Sequence, residues 1–180
     1  MPSNDQATTW TALEAISEAI TSSNESADLR ILLWGREKWP HWYQQLLNQI
    51  HALAARSPIE YVTSSIQDSR IDGDEVYAFT ANLAIHAQVS GLADNAGRQN
   101  ATVRTTAWSR ASLTELTVID LCPHSDEDMG SEALLPRNPT LELHYGQRPV
   151  FQLPLPRFRN DKALEKLYPS LLADLVRGDA

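Results

Sequence analysis

Apolar residues in the first third of the chain recur at helical spacing. Residues 11–20 predict a short helix, because Thr11 and Glu14 have the spacing of a capping box and apolar positions follow on one face. Pro40 suits the first turn of a second helix, predicted over residues 40–56, whose apolar positions repeat every three or four residues. These positions are Trp39, Tyr43, Leu46, Leu47, Ile50, Leu53 and Ala54. Between the two helices, residues 29–34 fit either a strand or the start of a helix.

From residue 59 the apolar period changes from 3.6 to 2, which is typical of half-buried strands. Alternation is clearest where Leu83, Ile85, Ala87 and Val89 are separated by more polar positions. Gly146 begins a predicted hairpin turn between the last two strands. The seven strands are predicted near residues 59–66, 75–81, 83–89, 101–108, 113–121, 140–145 and 149–155.

The chain ends in a predicted amphipathic helix with one apolar stripe. Asn160 or Asp161 can cap its start and Gly178 can end it, whereas Pro169 predicts a kink or a break. The stripe comprises Leu164, Leu167, Tyr168, Leu171, Leu172 and Leu175. The predicted class is therefore α+β, with an N-terminal helical segment over residues 1–57 and a mostly antiparallel seven-stranded domain with its helix over residues 58–180.

Two segments carry a resemblance to a known superfold: DEVYAFTANLAIH, residues 74–86, and TAWSRASLTELTV, residues 106–118. With the strand order, they resemble the bacterial variety of the pleckstrin-homology-like (PH-like) superfold over roughly residues 59–177. The resemblance implies an antiparallel seven-stranded barrel capped by the C-terminal helix. Lipid-binding members carry Lys and Arg between their first two strands. Residues 67–74 here hold three Asp and one Arg, which would repel anionic lipids.

Composition narrows the possible partners of the chain. Its 180 residues carry a formal net charge of −8, which disfavours binding to nucleic acid. Neither a membrane-spanning apolar run nor a signal-peptide pattern is visible, so we expect a cytoplasmic protein that does not bind membranes. The single cysteine, Cys122, excludes a disulfide framework. No cofactor-binding motif is present in the sequence, so no cofactor is expected.

The polar loop after residue 121 holds the other candidate chemistry. Cys122 and His124 lie too close in sequence for a typical nucleophile–base pair, so we interpret Cys122 as a structural residue at a strand end. Asp126 and Asp128 lack the full ligand spacing of a calcium loop. A solvated acidic loop, with no metal and no catalytic residue, is the favoured interpretation.

Three of the five tryptophans fall within residues 34–42. One interpretation buries them where the second helix packs on the sheet. Another makes Trp34, Arg36, Trp39 and Trp42 an exposed surface for a protein partner, because Trp and Arg are enriched at interface anchors. A cofactor site is a third interpretation.

The function expected from these patterns is a non-enzymatic protein-interaction or scaffold module. The alternative is an α+β small-ligand carrier or enzyme, with a pocket between the N-terminal helices and the sheet. His86, Glu142 and His144 occupy polar alternate positions and would line that pocket, or would point to water if their face is solvated. A deep pocket lined by these residues favours the alternative, and a shallow apolar surface favours the interaction module. The sequence identifies neither the partner nor the oligomeric state.

Overall fold

The computed structural model describes residues 4–23, 39–55, 57–66, 74–91, 101–122, 137–155 and 162–178. These residues form three α-helices and two antiparallel sheets, which confirms the predicted α+β class. The chain divides into two compact units, Met1–Trp108 and Ser109–Ala180. This boundary falls between Trp108 and Ser109, at the last residue of the fourth strand.

All seven strands lie where the sequence predicts them, with each bound within three residues of the predicted one, although the last strand has three residues instead of seven. The helices are α1 (Asn4–Ser22), α2 (His41–Ala54) and α3 (Lys162–Gly178). The strands are β1 (Ile59–Ser64), β2 (Asp74–Thr80), β3 (Leu83–Ser90), β4 (Thr102–Ser109), β5 (Glu115–Cys122), β6 (Arg137–His144) and β7 (Phe151–Leu153). A 3₁₀ turn, Arg110–Ser112, lies between β4 and β5.

In the first unit, α1 and α2 pack with the sheet β1-β2-β3-β4. Alternate residues of β2 and β3 face the helices, as the period-2 pattern predicts, with Val76 opposite Ala87 and Ala78 opposite Ile85. Thr80 closes the hairpin between these strands, because its Oγ1 accepts the backbone N–H of Leu83 at 3.1 Å. The helices contribute Leu13, Ile16, Ile20, Trp42, Tyr43, Leu46, Leu47 and Ile50 to the core.

Helix α1 begins seven residues before the predicted start, so the predicted capping box at Thr11 is wrong: Thr11 lies inside the helix. Glu14 instead accepts a hydrogen bond from the indole Nε1 of Trp10 at 2.7 Å. The early start brings Trp10 onto the helix, one turn before Glu14.

In the second unit, α3 packs with the sheet β5-β6-β7 and with the 3₁₀ turn. The predicted hairpin turn is present: Gly146 has a φ of +55°, which favours glycine, and the N–H of Arg148 donates to the Tyr145 carbonyl at 3.0 Å. The apolar core of this unit includes Leu141, Leu143, Leu153, Leu164, Leu167 and Leu171.

Two details of the predicted C-terminal helix are corrected. The helix continues through Pro169, so of the predicted kink or break the break is absent, and Pro169 is solvent-exposed. Leu172 is 39% exposed, because the buried face follows Leu164, Leu167, Leu171 and then Asp174. Leu172 lies about 100° around the helix from Leu171 and therefore falls outside this face.

Among the residues described above, the strands pair as one sheet of four and one sheet of three. This pairing does not form the single seven-stranded barrel that the resemblance implied. The same part of the chain contains no helix long and apolar enough to cross a membrane.

Candidate functional site

A chain of four aromatic rings runs from the surface of the first unit into its core. The Trp10 and Trp39 rings stack with centroids 5.0 Å apart and an interplanar angle of 14°. Tyr43 meets Trp39 edge-on at 6.0 Å and Trp42 edge-on at 5.4 Å. Trp10 is 53% exposed and Trp42 only 2% exposed. We call Trp10 and Trp39 the tryptophan pair.

Polar contacts hold the tryptophan pair in place. The Trp10 indole donates to Glu14 at 2.7 Å, and the side-chain amide of Gln44 donates to the Trp39 carbonyl at 2.6 Å. Below the pair, the Tyr43 hydroxyl and the Ser17 hydroxyl are hydrogen bonded at 3.0 Å and tie α2 to α1. Burial raises the pKa of Tyr43 to about 12, so this phenol is neutral at physiological pH.

The structure distributes the predicted partner-binding residues unequally. Trp34 and Arg36 lie outside the described residues. Trp42 lies in the core beneath Tyr43, so its ring presents almost no surface, while Trp39 is half-buried. Among the four described rings, Trp10, which the sequence did not connect with this cluster, is the most exposed. No sequence signal links Trp10 to Trp39, because they belong to different elements that meet only in the tertiary structure.

A groove of about 340 Å³ opens on the same unit, between α1, α2 and the start of β1. We call it the α1–α2 groove. Ile16 and Ala54 are its most buried residues, whereas Ala15 and Pro58 are exposed at its rim. It is lined by Ala12, Ala15, Ile16, Ala19, His51, Ala54, Ser57, Pro58 and Ile59. None of the predicted pocket residues His86, Glu142 and His144 lines it.

His86 lies on β3 within a compact polar–aromatic cluster. Its Nε2 lies 3.2 Å from the Glu75 carboxylate, and its ring stacks on Tyr77 with centroids 4.5 Å apart. Trp108 meets the imidazole edge-on at 6.4 Å. Burial and the neighbouring Glu75 charge both raise the pKa of Tyr77 well above its usual value. The cluster fixes the imidazole against its own sheet.

Glu142 and His144 are neighbours on one face of β6, as alternate positions of a strand must be. The His144 Nε2 lies 3.0 Å from Glu142, and its Nδ1 lies 3.9 Å from Glu115 of the adjacent strand β5. The structure therefore brings Glu142 and His144 together, while His86 belongs to the other unit and pairs with Glu75.

The remaining candidate residues lie mostly outside the described part of the chain. Cys122 ends β5 opposite Arg137, as predicted for a strand end, but its side chain is not described. His124, Asp126, Asp128 and residues 67–73 lie outside the described residues. Asp74, the last residue of the acidic segment, begins β2 and is buried. Within the described ranges, no group of three or more His, Cys, Asp and Glu is arranged to hold a metal ion.

Comparisons with protein-family models, with curated proteins and with solved structures returned no match for this chain. The geometry above is therefore the basis for the functional proposal.

Proposed function

We propose that this protein is a non-enzymatic protein-interaction module that contacts a protein partner through the tryptophan pair. The observation that carries this proposal is the exposure of Trp10 together with its fixed position. Its ring stacks on Trp39 and its indole N–H is bound to Glu14, so little side-chain freedom remains. Binding of a partner over Trp10 therefore costs little side-chain conformational entropy.

The size of the exposed ring suits an interface anchor. A tryptophan side chain buries roughly 150–250 Å² when fully covered, and Trp10 is 53% exposed. A partner that covers the exposed part of the Trp10 side chain removes on the order of 100 Å² of apolar surface from water. At ~25 cal/mol per Å², this burial stabilises the complex by about 2–3 kcal/mol. This is the magnitude of an interface hot spot, about 2 kcal/mol or more. A protein partner with a matching apolar pocket would gain this energy.

We propose that the scaffold is PH-like. The support is the order of elements: four consecutive strands in one sheet, three consecutive strands in a second, and a C-terminal helix that packs on the second sheet. A module of this kind presents surface elements on a rigid support, and the helices α1 and α2 would then be an N-terminal addition that carries the binding surface.

The alternative role, a carrier or enzyme whose pocket is lined by His86, Glu142 and His144, has weaker support. Both imidazoles are already engaged with carboxylates of their own sheets, His86 with Glu75 and His144 with Glu142. A ligand would have to displace these contacts. We therefore favour the interaction module.

Affinity capture from a native lysate tests the proposal if it compares three forms of the chain. We expect one or more proteins to be retained by the natural chain and by Val176→Ala but lost with Trp10→Ala. Val176 is a suitable control because it is a 73% exposed apolar residue in the other unit. Identical protein sets on all three forms would contradict a role for Trp10 in binding.

A further inference from the structure

The α1–α2 groove has the dimensions of a small-molecule site. Small-ligand pockets have volumes of roughly 300–1,000 Å³, and the open α1–α2 groove has a volume of about 340 Å³. An engineered apolar cavity of about 150 Å³ is enough to bind benzene. By volume, the groove therefore accommodates a molecule of about two fused aromatic rings.

We propose that the α1–α2 groove binds a small, planar, mostly apolar molecule with one polar group that hydrogen bonds to His51. This inference concerns a surface separate from the tryptophan pair and does not depend on the proposed protein interaction.

The walls of the groove favour a flat apolar ligand. Ala12, Ala15 and Ala19 recur at helical spacing along one face of α1 and line the groove with methyl groups, beside the larger Ile16. Such a wall lets a planar ring approach the helix backbone closely. Ile16 and Ala54 are the buried residues of the described lining and would provide apolar contacts to the ring.

His51 supplies an imidazole to this mostly apolar groove, whose lining also includes the polar residue Ser57. Among the lining residues that the structure describes, His51 is the only titratable one, and it is half-buried in the last turn of α2. Within the described ranges, no hydrogen bond or ion pair engages its imidazole. A neutral imidazole has one donor and one acceptor nitrogen, and a hydroxyl group can pair with either of them. Ligand pockets combine apolar walls with a few polar groups of this kind.

The size of the lining argues against a protein segment as the occupant. A stable protein–protein interface uses about 20–30 residues on each side, whereas nine of the residues that the structure describes line this groove. The groove is thus too small to be a protein interface by itself, and it is large enough for a bicyclic molecule.

Isothermal titration calorimetry with 2-naphthol as the probe tests the inference. We expect saturable one-to-one binding to the full chain with a dissociation constant below about 1 mM, a modest affinity for a ligand of this size. Ala15→Phe places a large ring in the groove from its exposed rim, so it should weaken binding about tenfold or more. Ala52→Phe is the matched control, because Ala52 is exposed on α2 and does not line the groove. The affinity of Ala52→Phe for 2-naphthol should stay within about twofold of that of the natural chain.

The His51 contact has its own readout. His51→Leu should weaken 2-naphthol binding about fivefold or more while leaving naphthalene, which has no hydroxyl, within about twofold. Absence of saturable 2-naphthol binding, or equal affinity of the natural chain and Ala15→Phe, would overturn the site. Equal loss of both probes in His51→Leu would overturn the assignment of the polar contact. Sedimentation of the natural chain as a dimer that Ala15→Phe dissociates would show that a second copy covers the groove, which also overturns the inference.

Discussion

Replacement of Asp174 by alanine should destabilise the protein strongly, because Asp174 is the buried counterion of Arg110. Arg110 is 1% exposed and Asp174 is 4% exposed. The Arg110 Nε and Nη2 both lie 2.7 Å from the same Asp174 oxygen, and Nη2 also donates to the Ser170 hydroxyl at 2.6 Å. The pair joins the 3₁₀ turn to α3 across 64 residues of sequence.

The size of the stability loss follows from the buried charge that the substitution leaves behind. Asp174→Ala leaves the Arg110 guanidinium buried without the carboxylate that compensates its charge, and breaking a buried pair in this way costs about 3–5 kcal/mol. The total free energy of unfolding of a domain is about 5–15 kcal/mol. The variant should therefore lose a large fraction of its stability.

Urea unfolding followed by circular dichroism measures this loss, and Arg177→Ala is the control. Arg177 also approaches Asp174, at 4.0 Å, but its side chain is 73% exposed, so its removal should cost less than about 1 kcal/mol. The double variant Arg110→Met, Asp174→Leu should recover most of the stability, because it removes both buried charges together. A loss below about 1 kcal/mol in Asp174→Ala would refute the reasoning, since it would mean that water reaches the Arg110 guanidinium.

Three further changes probe other parts of the fold. Ala55→Gly should raise the free energy of unfolding by about 0.5–1 kcal/mol in urea titrations, because Ala55 has a φ of +50° after α2, where glycine carries no steric penalty; an unchanged or lowered stability would contradict this. In the unfolded chain Tyr43 ionises above about pH 10, whereas in the folded chain its pKa is raised to about 12 and the phenol stays neutral. The free energy of unfolding should therefore fall as the pH rises from 10 to 12. Tyr43→Phe should reduce the loss of stability between about pH 9 and pH 11 by about 1.4 kcal/mol, and an identical pH profile in both forms would exclude Tyr43 as a contributor. Leu171→Ala should cost about 2–5 kcal/mol and Leu172→Ala less than about 1 kcal/mol in thermal melts, because only Leu171 is fully buried; equal costs would contradict the orientation of α3.

Most elements of the fold could be predicted from the sequence because their periodicity is local. The alternation of residues 83–89 gave β3 almost to the residue, since a strand with one face against a core repeats every two positions. The apolar repeat after Pro40 gave α2 for the same reason. The start of α1 was missed, because a Thr and a Glu at capping-box spacing also occur inside a helix, as Thr11 and Glu14 do here.

The contacts that define the candidate sites could not be predicted, because they join distant parts of the chain. Nothing local in the sequence indicates that Trp10 stacks on Trp39 or that Arg110 pairs with Asp174. The apolar stripe predicted for α3 included Leu172 for a related reason: the pattern counts apolar residues, whereas the helix turns a charged Asp174 inward to meet its partner. The α1–α2 groove likewise depends on how two helices and a strand meet, which periodicity does not specify.

Site-specific photocrosslinking in living cells tests the central claim, that Trp10 contacts a protein partner, most directly. A benzophenone amino acid would replace Trp10 in one form of the chain and Val176 in a second form, since both positions expose apolar side chains. We predict a discrete crosslinked protein adduct from position 10 that is absent from position 176. No adduct at position 10, or the same adducts at both positions, would contradict the proposal that the tryptophan pair is a specific binding surface.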